Sequence, residues 1–162
     1  MNEQEFGTGP PRRIVLGVDG SDVARRAAAF LAALAGPIGA EVIAVHAVGL
    51  LSVIDGEVHP SEQVQDRLAE LVAGEWCRPL VEAGVPVRPV LEDGPPSLVL
   101  IRVAEREDAD LVVVGSRGVN AIEGVLLGST SHYIAQLSPV PVVIVPPRPR
   151  HGGHRAAAPP PP

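Results

Sequence analysis

The stretch that decides the fold is residues 111–145, which reads LVVVGSRGVNAIEGVLLGSTSHYIAQLSPVPVVIV. It opens with an all-apolar run, Leu111–Val114, which is typical of a strand buried on both faces of a parallel sheet. The run leads into GSRG at 115–118, and nine residues later GST at 128–130 precedes a helical pattern. Glycines let the backbone approach a ligand closely, and a helix N-terminus offers unpaired N–H groups. This spacing therefore predicts a phosphate-binding loop between a strand and a helix.

The rest of the chain alternates short apolar runs with helical periodicities. Predicted strands are Ile14–Val18, Glu41–Val48, Val85–Leu91, Asp110–Val114 and Val140–Val145. Predicted helices are Asp22–Ala35, Ser61–Ala83, Pro96–Arg106 and Ser129–Leu137, with a loop at Leu50–Pro60. Five strands joined mostly by helical crossovers predict an α/β fold with a single doubly wound parallel sheet.

Local signals refine the helices. Ser21 is the expected N-cap of the first helix, and Gly36-Pro37 is expected to end it. Residues expected to face inward are Val64, Leu68, Leu71, Val72 and Trp76 on the second helix, and Val99, Leu100, Val103 and Ala104 on the third. Ser61 is a predicted N-cap, Pro79 is expected to kink or shorten the second helix, and Glu92-Asp93 is interpreted as part of a turn.

Composition excludes several functions. The 162 residues suit one domain, and all 13 basic residues are arginine. Without lysine there is neither a Walker A loop nor Schiff-base chemistry. A net charge of −6 and 2% aromatic residues argue against nucleic acid and membrane as partners. A single cysteine, Cys77, and an N-terminus without an apolar signal core favour the cytoplasm.

The turn after the first strand carries the second candidate. Asp19 directly follows Val18, slightly too early to cap the next helix itself. A carboxylate at a strand end accepts hydrogen bonds from a ribose hydroxyl or an adenine amino group. Asp19 is therefore a candidate nucleoside ligand, with a turn-forming role as the alternative.

The glycine spacing resembles the nucleotide-binding signature of the ATP-binding branch of the universal stress protein family. Three further blocks are similar to that family: 14–21 (IVLGVDGS), 109–115 (ADLVVVG) and 138–145 (SPVPVVIV). The resemblance implies an adenine nucleotide alpha hydrolase-like fold with strand order 3-2-1-4-5. The resemblance covers the domain at 13–146. Residues 1–12 are expected to form a flexible lead, and the Pro-rich residues 147–162, which have no apolar period, a disordered tail.

The same resemblance implies an ATP-binding homodimer that acts as a sensor or regulator in the stress response. The nucleotide is expected between strands 1 and 4, with Mg²⁺ or Mn²⁺, if present, carried by its phosphates. The implied binding residues are Asp19, Gly20, Ala47, Gly115, Arg117, Gly118, Gly128, Ser129 and Thr130. Backbone N–H groups around Gly118 and at 128–130 are expected to hold the phosphates, and the strand Val140–Val145 is expected to pair across the dimer.

No catalytic residue is assigned, and at most slow ATP hydrolysis is expected. His132, close to Ser129 and Ser131, lacks the Gly-x-Ser-x-Gly context of a nucleophile and is interpreted as a helix-surface residue. His46 is interpreted as a partly buried strand-end residue. Two alternatives stay open. One is an interaction module of the same fold that binds no nucleotide. The other is an adenylating enzyme of the ATP pyrophosphatase type, although residues 19–23 of this chain (DGSDV) match the phosphate loop of that class only in part.

Overall fold

The computed structural model describes residues 9–48, 62–118 and 127–148. Within these ranges the strands are β1 (Arg13–Gly17), β2 (Glu41–Val48), β3 (Val87–Asp93), β4 (Leu111–Gly115) and β5 (Val142–Val145). The helices are α1 (Asp22–Ile38), α2 (Glu62–Ala73), α3 (Arg78–Glu82), α4 (Pro96–Arg106) and α5 (Ser129–Leu137). All strand pairs are parallel, in the order β3-β2-β1-β4-β5, which confirms the predicted fold class and strand order.

The sheet separates two apolar cores because side chains of a strand alternate between its faces. On one face, Ile14 and Leu16 of β1 pack with Leu31 of α1 and with residues of α2 and α3. On the other face, Val15 packs against α4 and against Ile134 of α5. Each fully buried aliphatic side chain of this kind contributes about 1.5–3 kcal/mol. No helix within the described ranges is both long and apolar enough to cross a membrane.

The single cysteine belongs to the first of these cores. Cys77 lies at the start of α3, is fully buried and forms no disulfide. Burial raises the pKa of its thiol to about 12, since the apolar surroundings disfavour the thiolate. The thiol is therefore protonated at neutral pH and acts as a packing group.

Several element boundaries differ from the predictions. Helix α1 continues through Gly36 and Pro37 to Ile38, because a proline in the last turn removes only one hydrogen bond. Its end is set by Gly39, which takes a left-handed conformation with φ 65°. Strand β3 runs to Asp93, so Glu92-Asp93 belongs to the strand and pairs with β2 rather than forming a turn. Strand β5 begins at Val142, two residues later than predicted.

The long helix predicted at Ser61–Ala83 is two helices. The break falls at residues 74–77, between α2 and α3, since glycine is a weak helix former. Pro79 lies at the start of α3, where its missing N–H costs nothing. Val64, predicted to face inward, is 47% exposed, whereas Val72 is fully buried as predicted. The proposed Ser61 cap and Leu50–Pro60 loop lie outside the described residues, as do residues 1–8 and 149–162 of the predicted lead and tail.

The start of β1 is fixed by a carboxylate from the start of β4. Asp110 accepts hydrogen bonds from the backbone N–H groups of Arg12 at 2.7 Å and Arg13 at 2.9 Å. These bonds, chiefly the one from Arg13, lower the pKa of Asp110 because they favour the charged carboxylate. The carboxylate therefore stabilises the protein above the pKa that Asp110 has in the unfolded chain, about 3.9. This stabilisation is lost as the pH falls through the lower folded-state pKa.

Asp110→Asn tests this contribution. We expect the variant to melt about 2 °C lower at neutral pH, since an exposed charged hydrogen bond contributes less than about 1 kcal/mol and that energy corresponds to about 2–4 °C. As the pH falls through the lowered folded-state pKa of Asp110, the two melting temperatures should converge because the carboxylate becomes protonated. Thermal unfolding followed by circular dichroism across pH measures the difference, and a constant gap down to acid pH would contradict the assignment.

Candidate functional site

A cavity of about 110 Å³ lies at the carboxyl ends of β1, β2 and β4. This is where the winding of the sheet reverses, between β1 and β4, and where ligands bind in open α/β sheets. The cavity is lined by Gly17, Val18, Asp19, Ala24, Val45, His46, Ala47, Pro96, Leu100, Val114, Gly115, Arg117 and Thr130. Its floor is apolar and its rim carries one carboxylate, one imidazole and one guanidinium group.

Asp19 sits in the turn between β1 and α1. Its Oδ1 accepts a hydrogen bond from the N–H of Ser21 at 3.0 Å. The Ser21 hydroxyl in turn accepts from the N–H of Ala24 at 3.1 Å, which confirms Ser21 as the N-cap of α1. On its other side, Asp19 approaches the glycine loop closely: a Cβ added to Gly118 would lie 2.6 Å from Oδ2. The two sequence signals therefore meet at one point.

Helix α5 begins beside this meeting point. Its N-cap, Gly128, has no side chain with which to cap the helix. The N–H of Gly128 donates to the carbonyl oxygen of Ser116 at 2.7 Å, and the Ser131 hydroxyl lies 2.9 Å from the same oxygen. In the described structure the Gly128 N–H thus has Ser116 as its acceptor, and its contact with a phosphate stays a prediction. The N–H groups of Ser129, Thr130 and Ser131 have no acceptor within the helix.

The glycines of the signature meet different requirements. A Cβ on Gly115 would lie 2.9 Å from Val23 Cγ1 and 3.2 Å from the Val23 carbonyl carbon, so Gly115 allows α1 to pack on β4. Gly128 differs, since its φ of −70° and ψ of 165° are open to any residue. With the described residues, a Cβ there would make only ordinary contacts, the nearest at 3.5 Å. Neither the backbone conformation nor the packing of the described residues requires glycine at position 128.

Two polar groups beside the cavity lack partners among the described residues. Ser116 is 4% exposed, and its hydroxyl oxygen has no hydrogen-bond partner within those residues. The Nε of Arg117 is buried and likewise without a partner there. Buried polar groups are normally satisfied, so such atoms at a cavity point to a bound group or water. Arg117 therefore lies half-buried against the cavity rather than as a fully solvated loop residue.

The end of β2 forms another part of the cavity wall. Ala47, one of the implied binding residues, lines the cavity. His46 is half-buried, as predicted, and its Nδ1 lies 2.9 Å from the carbonyl oxygen of Val18. A carbonyl oxygen only accepts, so Nδ1 carries the proton in this bond. The imidazole also meets the indole of Trp76 edge-on, with ring centroids 5.0 Å apart.

The structure thus brings most of the predicted site residues to the cavity. Asp19, Ala47, Gly115, Arg117 and Thr130 line it, and Gly118 and Gly128 adjoin it through Asp19 and Arg117. Ser129 is exposed at the start of α5, and Gly20 faces Trp76. Residues 119–126, between the two halves of the signature, lie outside the described ranges.

Sequence reasoning missed three contributions to the site. Ser131 ties α5 to the end of β4, and a serine at the third helical position after a glycine cap was the available signal. Pro96 and Leu100 of α4 line the cavity, although the sequence showed only that α4 has an apolar face. His46 and Trp76 form a pair, which no spacing in the sequence indicates. His132, by contrast, is exposed beside Tyr133, as predicted for a helix-surface residue.

The donor set of this region does not by itself suit a metal ion. Across the described ranges, no group of three or more His, Cys, Asp or Glu side chains is placed to hold one. Among the described residues that line the cavity, Asp19 is the only one with a carboxylate.

Comparison with known proteins finds relatives in both sequence and fold. A sequence model of the universal stress protein family matches residues 11–146. A universal stress protein from Thermus aquaticus, encoded in the QAH/OAS sulfhydrylase 3′ region, is 37% identical over 137 residues, which is 83% of this chain and 98% of that protein. The structure of the protein MJ0577 has the same fold, with a TM-score of 0.70 and 24% identity over 85% of this chain and 97% of its own. A universal stress protein in complex with cAMP is 28% identical, with a TM-score of 0.63 and coverage of 85% and 98%.

Proposed function

Since the chain belongs to the universal stress protein family, we propose that it binds ATP in the cavity between β1 and β4. We further propose that it works as a homodimeric sensor or regulator in the stress response. In this role the presence or absence of bound nucleotide is what the protein reports. The described residues bind the nucleotide rather than turn it over.

The observation that carries this proposal is Gly128. Its backbone conformation suits any residue, and a Cβ would fit beside Arg117 and Ser116 without displacing them. The added Cβ would lie 3.5 Å from both Arg117 Cα and the Ser116 carbonyl oxygen, so a longer side chain would start between the glycine loop and the beginning of α5. Glycine is therefore explained by a ligand that approaches the helix N-terminus closely.

The phosphates are held by three kinds of group in this proposal. The N–H groups of Ser129, Thr130 and Ser131 lie at the positive end of the α5 dipole. The Ser129 hydroxyl is exposed at the same helix end and adds a neutral hydrogen bond. Arg117 supplies the positive charge, and a phosphate oxygen is a suitable acceptor for its buried Nε. An arginine thus takes the place that lysine has in other phosphate loops.

The nucleoside occupies the other half of the cavity in this proposal. Asp19 accepts from the nucleoside, and the backbone at Ala47 contacts the adenine beside the apolar side chains of Val45 and Leu100. A related universal stress protein is known in complex with cAMP, which has the same adenosine moiety as ATP. Because Asp19 is the only carboxylate among the lining residues, Mg²⁺ or Mn²⁺ would be held mainly by the phosphates.

The dimer is proposed to form through the β5 edge of the sheet. At the opposite edge, β3 carries Pro89 and three charged side chains, Arg88, Glu92 and Asp93, which protect it against pairing. Strand β5 consists of Val142, Val143, Ile144 and Val145, with no charge or proline inside it. Pairing of two β5 strands about a two-fold axis closes this edge.

The alternative is an interaction module that folds and dimerises in the same way without nucleotide. The first experiment separates the two. Small molecules are released from one freshly purified sample by heat denaturation and identified by mass spectrometry. A second sample, kept folded, is titrated with ATP by calorimetry. We expect adenine nucleotide in the released fraction or a saturable ATP binding heat. If a folded protein gives neither of these signals, the result would favour the interaction module and overturn the ATP site.

Asp19→Ala tests the nucleoside half of the site. We expect the variant to bind ATP about 10- to 150-fold more weakly, since loss of one charged hydrogen bond costs about 1.5–3 kcal/mol. Its affinity for tripolyphosphate, which has no nucleoside, should be unchanged because α5 and Arg117 are intact. Calorimetric titrations with both ligands measure the difference, and equal ATP affinity in variant and wild type would return Asp19 to a turn-forming role.

A further inference from the structure

Two aromatic side chains enclose the turn that carries Asp19. On the side before Asp19, the Nδ1–H of His46 donates to the Val18 carbonyl oxygen at 2.9 Å. The N–H of Val18 also donates to the carbonyl oxygen of Val45, again at 2.9 Å. The residue that precedes Asp19 is therefore bound to β2 through both its N–H and its C=O group, and the side chain of His46 makes one of these bonds.

On the side after Asp19, the indole of Trp76 lies against the backbone of Gly20. A Cβ on Gly20 would lie 2.9 Å from Cε2 and 3.1 Å from Nε1 of this ring. Gly20 has a φ of 78°, a conformation that favours glycine, so the ring and the turn fit each other closely. Trp76 comes from the break between α2 and α3, far from the glycine signature along the chain.

The two rings also contact each other. Their centroids are 5.0 Å apart at an interplanar angle of 74°, an edge-to-face arrangement that stabilises aromatic pairs. His46 and Trp76 thus form one unit that holds the residue before Asp19 and the residue after it. Asp19 Oδ1 is at the same time bound to the N–H of Ser21.

We propose that His46 and Trp76 are positioning residues that orient the Asp19 carboxylate for the nucleoside. This inference rests on the proposed ATP site and deepens it. A carboxylate whose flanking backbone is already fixed loses little conformational freedom when it binds, so the affinity gain is larger. The break between α2 and α3 is thereby part of the binding site, although none of its residues belongs to the glycine signature.

The experiment uses two pairs of variants of the full chain. His46→Leu removes the donor to Val18, whereas His46→Asn places an amide N–H close to the position of Nδ1. Trp76→Ala removes the ring that faces Gly20, whereas Trp76→Phe retains an aromatic ring. Each variant is titrated with ATP and with tripolyphosphate by calorimetry, and its melting temperature is recorded. Each variant is also combined with Asp19→Ala.

We expect His46→Leu and Trp76→Ala to weaken ATP binding about fivefold and to leave tripolyphosphate binding unchanged. His46→Asn and Trp76→Phe should restore most of the ATP affinity. In the Asp19→Ala background, His46→Leu and Trp76→Ala should change ATP affinity by less than about twofold, because the group that they position is absent. This loss of effect is the signature that a merely structural role would not produce.

Three results would overturn the proposal. Full additivity with Asp19→Ala would show that His46 or Trp76 acts on the ligand independently of Asp19. Equal losses for ATP and tripolyphosphate would show a general disturbance of the site. Unchanged ATP affinity in both loss variants would show that Asp19 needs no such support.

Failure of the proposed function itself is recognised separately, because the wild-type chain would then bind no ATP. If Trp76→Ala does not fold, the two His46 variants and Trp76→Phe decide the question.

Discussion

Gly128→Val is expected to lower ATP affinity by about 100-fold or more, equivalent to about 2.7 kcal/mol. A β-branched side chain at the N-cap of α5 would fill the space through which a phosphate reaches the N–H groups of the first helical turn. The extended conformation of Gly128, with φ −70° and ψ 165°, is compatible with valine. The loss should therefore arise from the blocked ligand and not from a strained backbone.

The fold of this variant is expected to survive. Valine is a poorer N-cap than glycine, which should cost about 1 kcal/mol and lower the melting temperature by about 2–4 °C. Gly36→Val is the matched control, because Gly36 lies near the far end of α1 and its added Cβ would come no closer than 3.9 Å to Val85. The control should bind ATP as wild type does. Calorimetry and thermal unfolding measure both variants, and wild-type ATP affinity in Gly128→Val would remove α5 from the phosphate site.

If the chain forms the proposed β5–β5 dimer, Ile144→Pro is expected to make it a monomer while β5 stays paired with β4. The carbonyl groups of Pro141 and Val145 accept from Val112 at 3.0 Å and Ser116 at 2.8 Å. Backbone groups alternate sides along a strand, so Val142 and Ile144 direct their N–H and C=O groups to the open edge. Proline at 144 therefore removes a donor from the proposed dimer contact and none from the β4–β5 pair.

The control for this variant is Ile144→Val, which shortens the side chain and keeps the N–H group. Both changes reduce packing of residue 144 against the core of α4 and α5, at a cost of about 0.5–1.5 kcal/mol for the valine. Sedimentation equilibrium at equal chain concentrations should give 16.8 kDa for Ile144→Pro and twice this mass for wild type and Ile144→Val. A dimeric Ile144→Pro protein would place the interface elsewhere, and a monomeric wild type would exclude the dimer.

The two variants separate the two halves of the proposed function. Gly128 faces the carboxyl ends of the strands, whereas Ile144 lies at the edge of the sheet. If nucleotide binding and self-association are independent, Gly128→Val stays dimeric and Ile144→Pro keeps its ATP affinity. If ATP binding in Ile144→Pro is lost although the chain is folded, the dimer itself contributes to the site.

Much of the fold could be predicted because the signals are local. Helix α5, at Ser129–Leu137, agrees with its predicted bounds, since a glycine-serine start and an apolar face are both visible within nine residues. The apolar face of α4 is also confirmed, because Val99, Leu100, Val103 and Ala104 are all buried. The break at 74–77 was missed, because helical periodicity continues across a glycine while the cost of Pro79 depends on where the helix restarts.

The sequence by itself determined the alternation of strands and helices, the position of Asp19 and the glycine spacing at 115–128. These follow from periodicity and from residue types that act within one turn or one strand. Only the tertiary structure decided that the Gly128 N–H is already bound to Ser116, that Gly115 serves the packing of α1, and that Trp76 lies against Gly20 beside His46. Each of these joins residues from separate elements, and such contacts depend on how the sheet brings the elements together, which no local pattern records.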